Sequence, residues 1–139
     1  MRLFRGEAGE GLISGLYVMF VLAIVLFLAV EVASYSMSVW KLYGAAGEIM
    51  AMMKAENGLD GAIVQRFRVL AAELRLDHLD ARLTGTPKTV QRGDLLELTV
   101  QGRYQVNCLR PFGSPLSVGI RLRLHGLAHT YIRGYAAVP

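Results

Sequence analysis

Histidines and nearby acidic residues, the side chains that most often carry chemistry, lie in the second half of this chain. His125 and His129 are four residues apart in a segment whose alternation predicts a β-strand, so both point the same way, about 13 Å apart at strand rise. That distance is too large for the two rings to share one metal ion. His78 lies beside Asp77 and Asp80, at a predicted helix–strand junction where polar residues are ordinary. The spacing therefore predicts no metal site.

Motifs for catalysis and phosphate binding are absent from the sequence. It contains no G-x-S-x-G turn around a nucleophilic serine, no P-loop and no H-E-x-x-H zinc motif. The single cysteine, Cys108, cannot form an intrachain disulfide. We expect a buried, inert thiol, with a bridge between subunits as the alternative. These observations predict a protein that is not an enzyme and that binds no cofactor.

Positive charge is spread along the chain rather than clustered. The formal net charge is +4 and the isoelectric point is about 9.5, but no block of five or more like charges occurs. A nucleic-acid partner is therefore not indicated. We expect a solvated basic face, with attraction to anionic lipid headgroups or to an acidic polymer as the alternative.

An uncharged run over residues 11–30, which ends at Glu31, dominates the sequence. The hydrocarbon core of a bilayer requires about 20 apolar residues of helix, so a transmembrane part is predicted at about 11–34. No cleavage site of the A-x-A kind ends the run, which favours a retained anchor over a removed signal peptide. Aromatic residues suited to the membrane–water interface follow it, namely Tyr35, Trp40 and Tyr43.

Beyond residue 40 the helical pattern becomes amphipathic, with apolar residues recurring at three- and four-residue steps. Since no proline interrupts the pattern, one unbroken helix is predicted over 11–56. Asn57 and Gly58 then form a stop signal. A second, shorter helix is predicted over 60–76, with Asp60 as its N-cap.

Strands follow the helices, because the spacing of apolar residues changes from helical to alternating. They are predicted at 79–84, 96–106 and 116–125, and the third is expected to continue toward Ile132. Gly102 falls on the apolar face of the second strand, which indicates either a bulge or a close approach by the long helix.

Together these elements predict an α+β fold. It consists of a long N-terminal helix with a membrane half and an amphipathic half, a short second helix and a small antiparallel sheet of about three strands. One apolar face per strand requires a cover, and the amphipathic half of the long helix is the natural one. We therefore expect Val100 and Ile120 to be buried, and Arg103 and Arg121 to be exposed.

Small residues in the apolar run suggest contacts between helices. Gly11 and Gly15 are four residues apart, with Ser14 near the same side, and such spacing lets two helices approach closely. The alternative is a lipid-facing anchor in which these residues are incidental. Glu31 is predicted either to pair with a protein partner or to sit at the edge of the hydrocarbon, where the cost of a charge falls.

This order of elements resembles the type IV pilin-like proteins, most closely the TadE-like (tight adherence) minor pilins and related pilin-like families of unknown function in Gram-positive bacteria. Those proteins carry R-G-x-x-x-x-E at the start of the anchor. Residues 5–10 read RGEAGE, which puts Glu10 at the fourth position after Gly6 rather than the fifth. The resemblance implies a leader-like segment at 1–10 and an extracytoplasmic domain at 57–139.

The resemblance further implies a structural subunit of an extracellular filament or of its assembly complex. Its partners would be copies of itself or other pilin-like subunits through the N-terminal helix, and membrane lipid before assembly. Glu10 would then offset the N-terminal charge of a neighbour. The alternative function is a single-pass anchor that holds a binding module at the cell surface and never leaves the bilayer.

Overall fold

Helix α1 (Arg5–Glu56) dominates the computed structural model, which describes residues 5–88 and 90–129 apart from the side chains of residues 5–8 and 10. The helix has 52 residues and is roughly 78 Å long at 1.5 Å per residue. It continues without interruption from the apolar half into the amphipathic half, so the prediction of one unbroken helix is confirmed. A helix of this length extends well beyond a single bilayer.

The chain leaves α1 through a tight turn at Asn57 and Gly58, whose φ angles are 58° and 140°. A side chain at Gly58 would overlap the backbone of Pro87, so this position requires glycine for both conformation and space. Helix α2 (Gly61–Glu73) starts directly afterwards, and the Asp60 carboxylate accepts a hydrogen bond from the Ile63 N–H at 2.9 Å. The predicted stop signal and N-cap are both confirmed.

The sheet contains three antiparallel strands in the order β1 (Arg82–Gly85), β2 (Leu95–Gln105) and β3 (Ser117–Leu127). Strands β2 and β3 pair along their whole length, from Leu95 opposite Leu127 to Gln105 opposite Ser117. The third strand ends at Leu127. Its expected continuation toward Ile132 lies partly outside the described residues.

The predicted start of the first strand, at residue 79, is wrong. Residues Asp77–Leu79 form a 3-10 turn rather than the start of a strand, and Asp80 has a φ of 44°, so β1 begins only at Arg82. The turn places Leu79 in the core, where it is fully buried. The left-handed backbone at Asp80 is incompatible with an extended strand, so pairing with β2 starts only beyond it.

Gly102 was predicted to mark either a bulge or a close approach by the long helix, and the structure shows neither. The ladder between β2 and β3 runs through Gly102 without a bulge, and the residue faces Ile120. A Cβ at Gly102 would lie 3.3 Å from the carbonyl oxygen of Leu79. The segment that approaches is therefore the 3-10 turn and not the long helix.

The hydrophobic core forms where the amphipathic half of α1 covers the apolar face of the sheet. Val100 is fully buried and Ile120 is nearly so, whereas Arg103 and Arg121 are exposed, as predicted. Helix α1 supplies six fully or almost fully buried residues to this core, namely Leu42, Ala45, Ala46, Ile49, Met50 and Met53. Helix α2 closes the side of the core through Ile63, Phe67, Leu70 and Ala71.

Helix α1 and strand β2 run in opposite directions across this core. Tyr104, near the end of β2, lies beside Glu31, whereas a Cβ at Gly126, opposite Leu96, would meet Lys54. The 23 residues from Glu31 to Lys54 span roughly 35 Å of helix, which matches an 11-residue strand of about 37 Å. The loop between β2 and β3 therefore lies at the end of the domain nearest the apolar half of α1.

Candidate membrane and assembly surface

The N-terminal half of α1 carries a continuous apolar surface that no other described part of the chain covers. The most apolar 18-residue window of this helix has a mean hydropathy of 2.8, and none of that window is buried. The large apolar side chains from Leu12 to Val30 are 40–69% exposed. Among the described residues, α1 is the one helix long and apolar enough to cross a membrane. Water is an unfavourable environment for such a surface, so it requires lipid or another protein.

The two glycines predicted to form helix–helix contacts lie on this surface. A Cβ placed at Gly11 or Gly15 would meet nothing within 4 Å, and Ser14 is also exposed. The described chain thus brings no segment of its own against them, and their role in assembly stays a prediction. Glu10 belongs to α1, but its side chain lies outside the described residues.

Glu31 marks the point where the apolar surface ends and the folded domain begins. Its Oε1 accepts one hydrogen bond from the backbone N–H of Asn107 at 2.9 Å and another from the Tyr104 hydroxyl at 3.2 Å. A carboxylate beside hydrocarbon is costly unless its oxygens are hydrogen-bonded. Glu31 therefore has hydrogen-bond partners within its own chain. Its contact with a neighbouring helix and its position at the edge of the hydrocarbon stay predictions.

Tyr104 is the centre of a small aromatic cluster at this junction. Its ring makes an edge-to-face contact with Tyr35 at a centroid distance of 5.3 Å and a second with His78 at 6.3 Å. Burial raises the pKa of the Tyr104 hydroxyl, and the hydrogen bond to the Glu31 carboxylate raises it further. The hydroxyl therefore stays protonated and can donate to Glu31. Tyr35 packs on the domain through this contact, and its place at the membrane–water interface stays a prediction.

Two shallow grooves flank the junction. The larger, of about 420 Å³, has an almost wholly apolar lining that includes Leu28, Val32, Val106 and Leu116. The second groove brings Leu26 and Phe27 of α1 beside Asn107 and Cys108. The loop after β2 therefore contacts the helix at the last turns of the apolar run. The Cys108 thiol is half-buried in both grooves rather than fully buried.

The three histidines are dispersed in the folded domain. His78 lies on the 3-10 turn, with its Nε2 3.5 Å from the Ser38 hydroxyl, and His125 is opposite Glu97 on the outer face of the sheet. His129 lies beyond β3, so the prediction that it shares a strand with His125 is wrong. Its backbone N–H donates to the Lys54 carbonyl at 3.1 Å, which draws the chain toward α1. Within residues 5–88 and 90–129, no three His, Cys, Asp or Glu side chains form a metal-binding group.

The sheet collects part of the scattered positive charge on its outer face. Arg82 and Arg121 both flank Gln101 in the strand pairing, and Arg103 and Arg123 lie on the same face of β2 and β3. All four side chains are exposed. The one ion pair among them is a 3.8 Å contact between Arg82 and Asp80, and both of these side chains are about four-fifths exposed. This face therefore carries exposed positive charge, and the choice between a solvated face and attraction to an anionic partner stays a prediction.

Residues 16–133 match the model of a domain family of unknown function, DUF4320. This match covers most of the apolar run and nearly all of the folded domain, so the chain belongs to that family. No curated protein and no solved structure matches the chain.

Proposed function

We propose that this protein is a membrane-anchored, pilin-like structural subunit. Before assembly its apolar helix resides in the bilayer, and the sheet domain lies outside the cell. In the assembled state the same helices leave the lipid and pack against each other in the core of a filament or of its assembly complex. The observation that carries the proposal is the contrast along one helix between a wholly exposed apolar half and a half that the domain buries.

The position of Glu31 supports a membrane span that ends near residue 30. Residues 11–30 extend over roughly 30 Å of helix, which equals the thickness of the hydrocarbon core. The first charged side chain beyond them is held by Tyr104 and Asn107. A span ending here keeps the folded domain out of the hydrocarbon, whereas one continuing to residue 34 would draw the junction into it.

Assembly through the apolar half is supported by its small residues. Gly11 and Gly15 lie one helical turn apart and have open space where a side chain would be. A neighbouring helix can therefore approach the backbone closely at this point. In the proposed assembly Glu10 lies near the N-terminus of a neighbouring chain, where its carboxylate offsets positive charge. These contacts join copies of this chain or other pilin-like subunits.

One observation favours the second candidate, a single-pass anchor that remains in the bilayer. Glu31, the most costly residue to place near lipid, is already hydrogen-bonded within its own chain. The Glu31 carboxylate therefore needs no hydrogen bond from a neighbouring subunit at the membrane boundary. In this case the domain would act as a binding module at the cell surface, with the anchor helix in lipid throughout.

Electron microscopy of sheared cells distinguishes the two functions. Cells producing the chain with an epitope tag in the exposed segment around Arg92 and Gly93 are sheared, and the released material is labelled with gold. The pilin-like function predicts labelled filaments in the sheared fraction. Labelling confined to the membrane, in cells that produce the chain at normal levels, would contradict it and support the permanent anchor.

A further inference from the structure

We propose that the loop between β2 and β3, residues 106–116, is a second membrane-contact element that inserts Phe112 among the lipids at the bilayer surface. The inference rests on the proposed membrane anchor, and it adds a lipid-binding site outside the transmembrane helix. Its occupant is the anionic leaflet into which α1 enters.

The direction of the hairpin places this loop at the bilayer. Because β2 runs opposite to α1, each residue along β2 moves toward the apolar half of the helix. At the end of β2, Asn107 is hydrogen-bonded to Glu31, and Cys108 lines a groove with Leu26 and Phe27. Leu26 lies roughly 7.5 Å from Glu31 along the helix, on the side of the apolar run. The loop thus reaches the level at which hydrocarbon gives way to headgroups.

The exposed residues of the loop have the chemistry of an interfacial element. The Phe112 side chain is 80% exposed, although the ring gains nothing from contact with water, and Leu116 is 51% exposed. A 3-10 turn, Arg110–Phe112, presents the ring beside a basic side chain, and Gly113 closes the turn with a φ of 75°. Aromatic rings with adjacent basic groups bind at the surface of anionic membranes.

The charge of the loop is complementary to an anionic lipid surface. Arg110 is exposed, and no carboxylate lies within 4.0 Å of it among the described residues. The opposite end of the same hairpin also exposes a large apolar side chain, but far from the bilayer. Leu95 is 62% exposed there, but it lies opposite Leu127 and at the level of Lys54, roughly 35 Å of helix farther from the bilayer.

This difference can be measured with tryptophan as a probe of lipid contact. Full-length chain carrying Trp40→Phe, to remove the native indole, is reconstituted into vesicles of phosphatidylcholine with phosphatidylglycerol. Phe112→Trp is compared with Leu95→Trp, a matched control on the same hairpin. Lipids brominated along the acyl chains then quench any indole in contact with them, and flotation of the vesicles shows whether the chain is inserted.

We expect strong quenching and a blue-shifted emission for the probe at position 112, and at most weak quenching at position 95. Replacing Arg110 by Gln should reduce the quenching at position 112 in anionic vesicles and leave it almost unchanged in pure phosphatidylcholine.

Equal, weak quenching at both positions in chain that floats would overturn the loop proposal and leave the anchor intact. A blue shift without quenching would also overturn it, because a protein would then cover Phe112. Chain that does not float would overturn both the anchor and the loop site.

Discussion

The two halves of α1 share one continuous backbone but have opposite surroundings. From Leu12 to Val30 the large apolar side chains are open to the outside, whereas from Leu42 to Met53 one face is buried under the sheet and α2. The first half is apolar on all sides and the second on one side only. A helix apolar all round requires an apolar environment, and a helix with one apolar stripe requires a single partner. The described part of the chain supplies that partner for the second half only.

The boundary between the halves is a specific contact rather than a gradual change. Glu31 is the first residue of α1 with hydrogen bonds to the domain, and Tyr35 and Ser38 continue the contact toward Tyr104 and His78. The folded domain therefore begins ten residues earlier on the helix than the amphipathic pattern after residue 40 indicates.

The largest effect on stability is expected from a charge placed in the core between the sheet and the amphipathic half of α1. Val100 is fully buried between β2 and α1, and an unpaired carboxylate at this position would cost several kcal/mol. We expect Val100→Asp to abolish the cooperative thermal transition of the domain, measured by circular dichroism. Thr99→Asp, a change at the neighbouring outward-facing position, is the control and should leave the transition in place. An unchanged melting temperature for Val100→Asp would contradict the packing described.

In the apolar half the expected defect concerns assembly and not folding. We expect Gly15→Leu to reduce filament yield to background while membrane insertion is retained, because leucine is favourable in lipid but holds a neighbouring helix away. Ile24→Phe, which also adds bulk in the exposed run but lies about 180° around the helix from Gly15 at 100° per residue, is the matched control. The measurement is filament yield after shearing together with the amount of chain in the membrane. Normal filament yield from Gly15→Leu would remove the reason to place these glycines at a helix–helix contact.

At the boundary between the two halves of α1 we expect a moderate effect on the free energy of unfolding. Tyr104→Phe and Glu31→Gln each weaken the hydrogen bond between the two side chains, and a double-mutant cycle on chemical unfolding should give a coupling of about 1 kcal/mol. Tyr43→Phe, on an exposed part of α1, should not couple with Glu31→Gln. A coupling near zero for Tyr104 and Glu31 would show that the contact does not stabilise the junction.

The smallest effect is expected at the start of α2, where it concerns the pH dependence of stability. The pKa of Asp60 lies below its ordinary value of 3.8, first because the Ile63 N–H donates to the carboxylate and second because Lys88 does. The ionised form is therefore favoured in the folded state, so this contribution to stability is present above pH 3.8 and is lost as the pH falls through the lowered pKa. Asp60→Asn retains a capping oxygen and should show a smaller loss of melting temperature on acidification than the native chain. Equal losses would contradict this assignment.

Local patterns were sufficient to predict most of the fold. The apolar run, the absence of proline and the stop at Asn57 and Gly58 predicted the single long helix, because each acts within a few residues along the chain. Alternation predicted β2 and β3 for the same reason. The turn at Asp77–Leu79 could not be predicted in this way, since it depends on where Leu79 can be buried after the helices have packed.

The contacts at the boundary also could not be predicted from local spacing. Glu31 and Tyr104 are separated by 73 positions in the sequence, and nothing near either residue indicates the other. The sequence marked Glu31 as unusual because a charge follows an apolar run. It did not show that β2 would end beside it, since that depends on the relative direction of strand and helix. The position of the β2–β3 loop near the bilayer is a consequence of the same long-range arrangement.

Comparing the full chain with fragments that lack the apolar half tests most directly whether assembly depends on that half. Residues 31–139 should be soluble, folded and monomeric in sedimentation experiments without detergent, because the in-chain partners of α1 begin at Glu31. Residues 41–139 should melt at a lower temperature, since they lack the contacts of Glu31 and Tyr35 with Tyr104. The full chain should require lipid or detergent and should assemble when these are removed. Ordered filaments from residues 31–139, or a detergent-free monomer of the full chain, would contradict the claim that assembly depends on the apolar half.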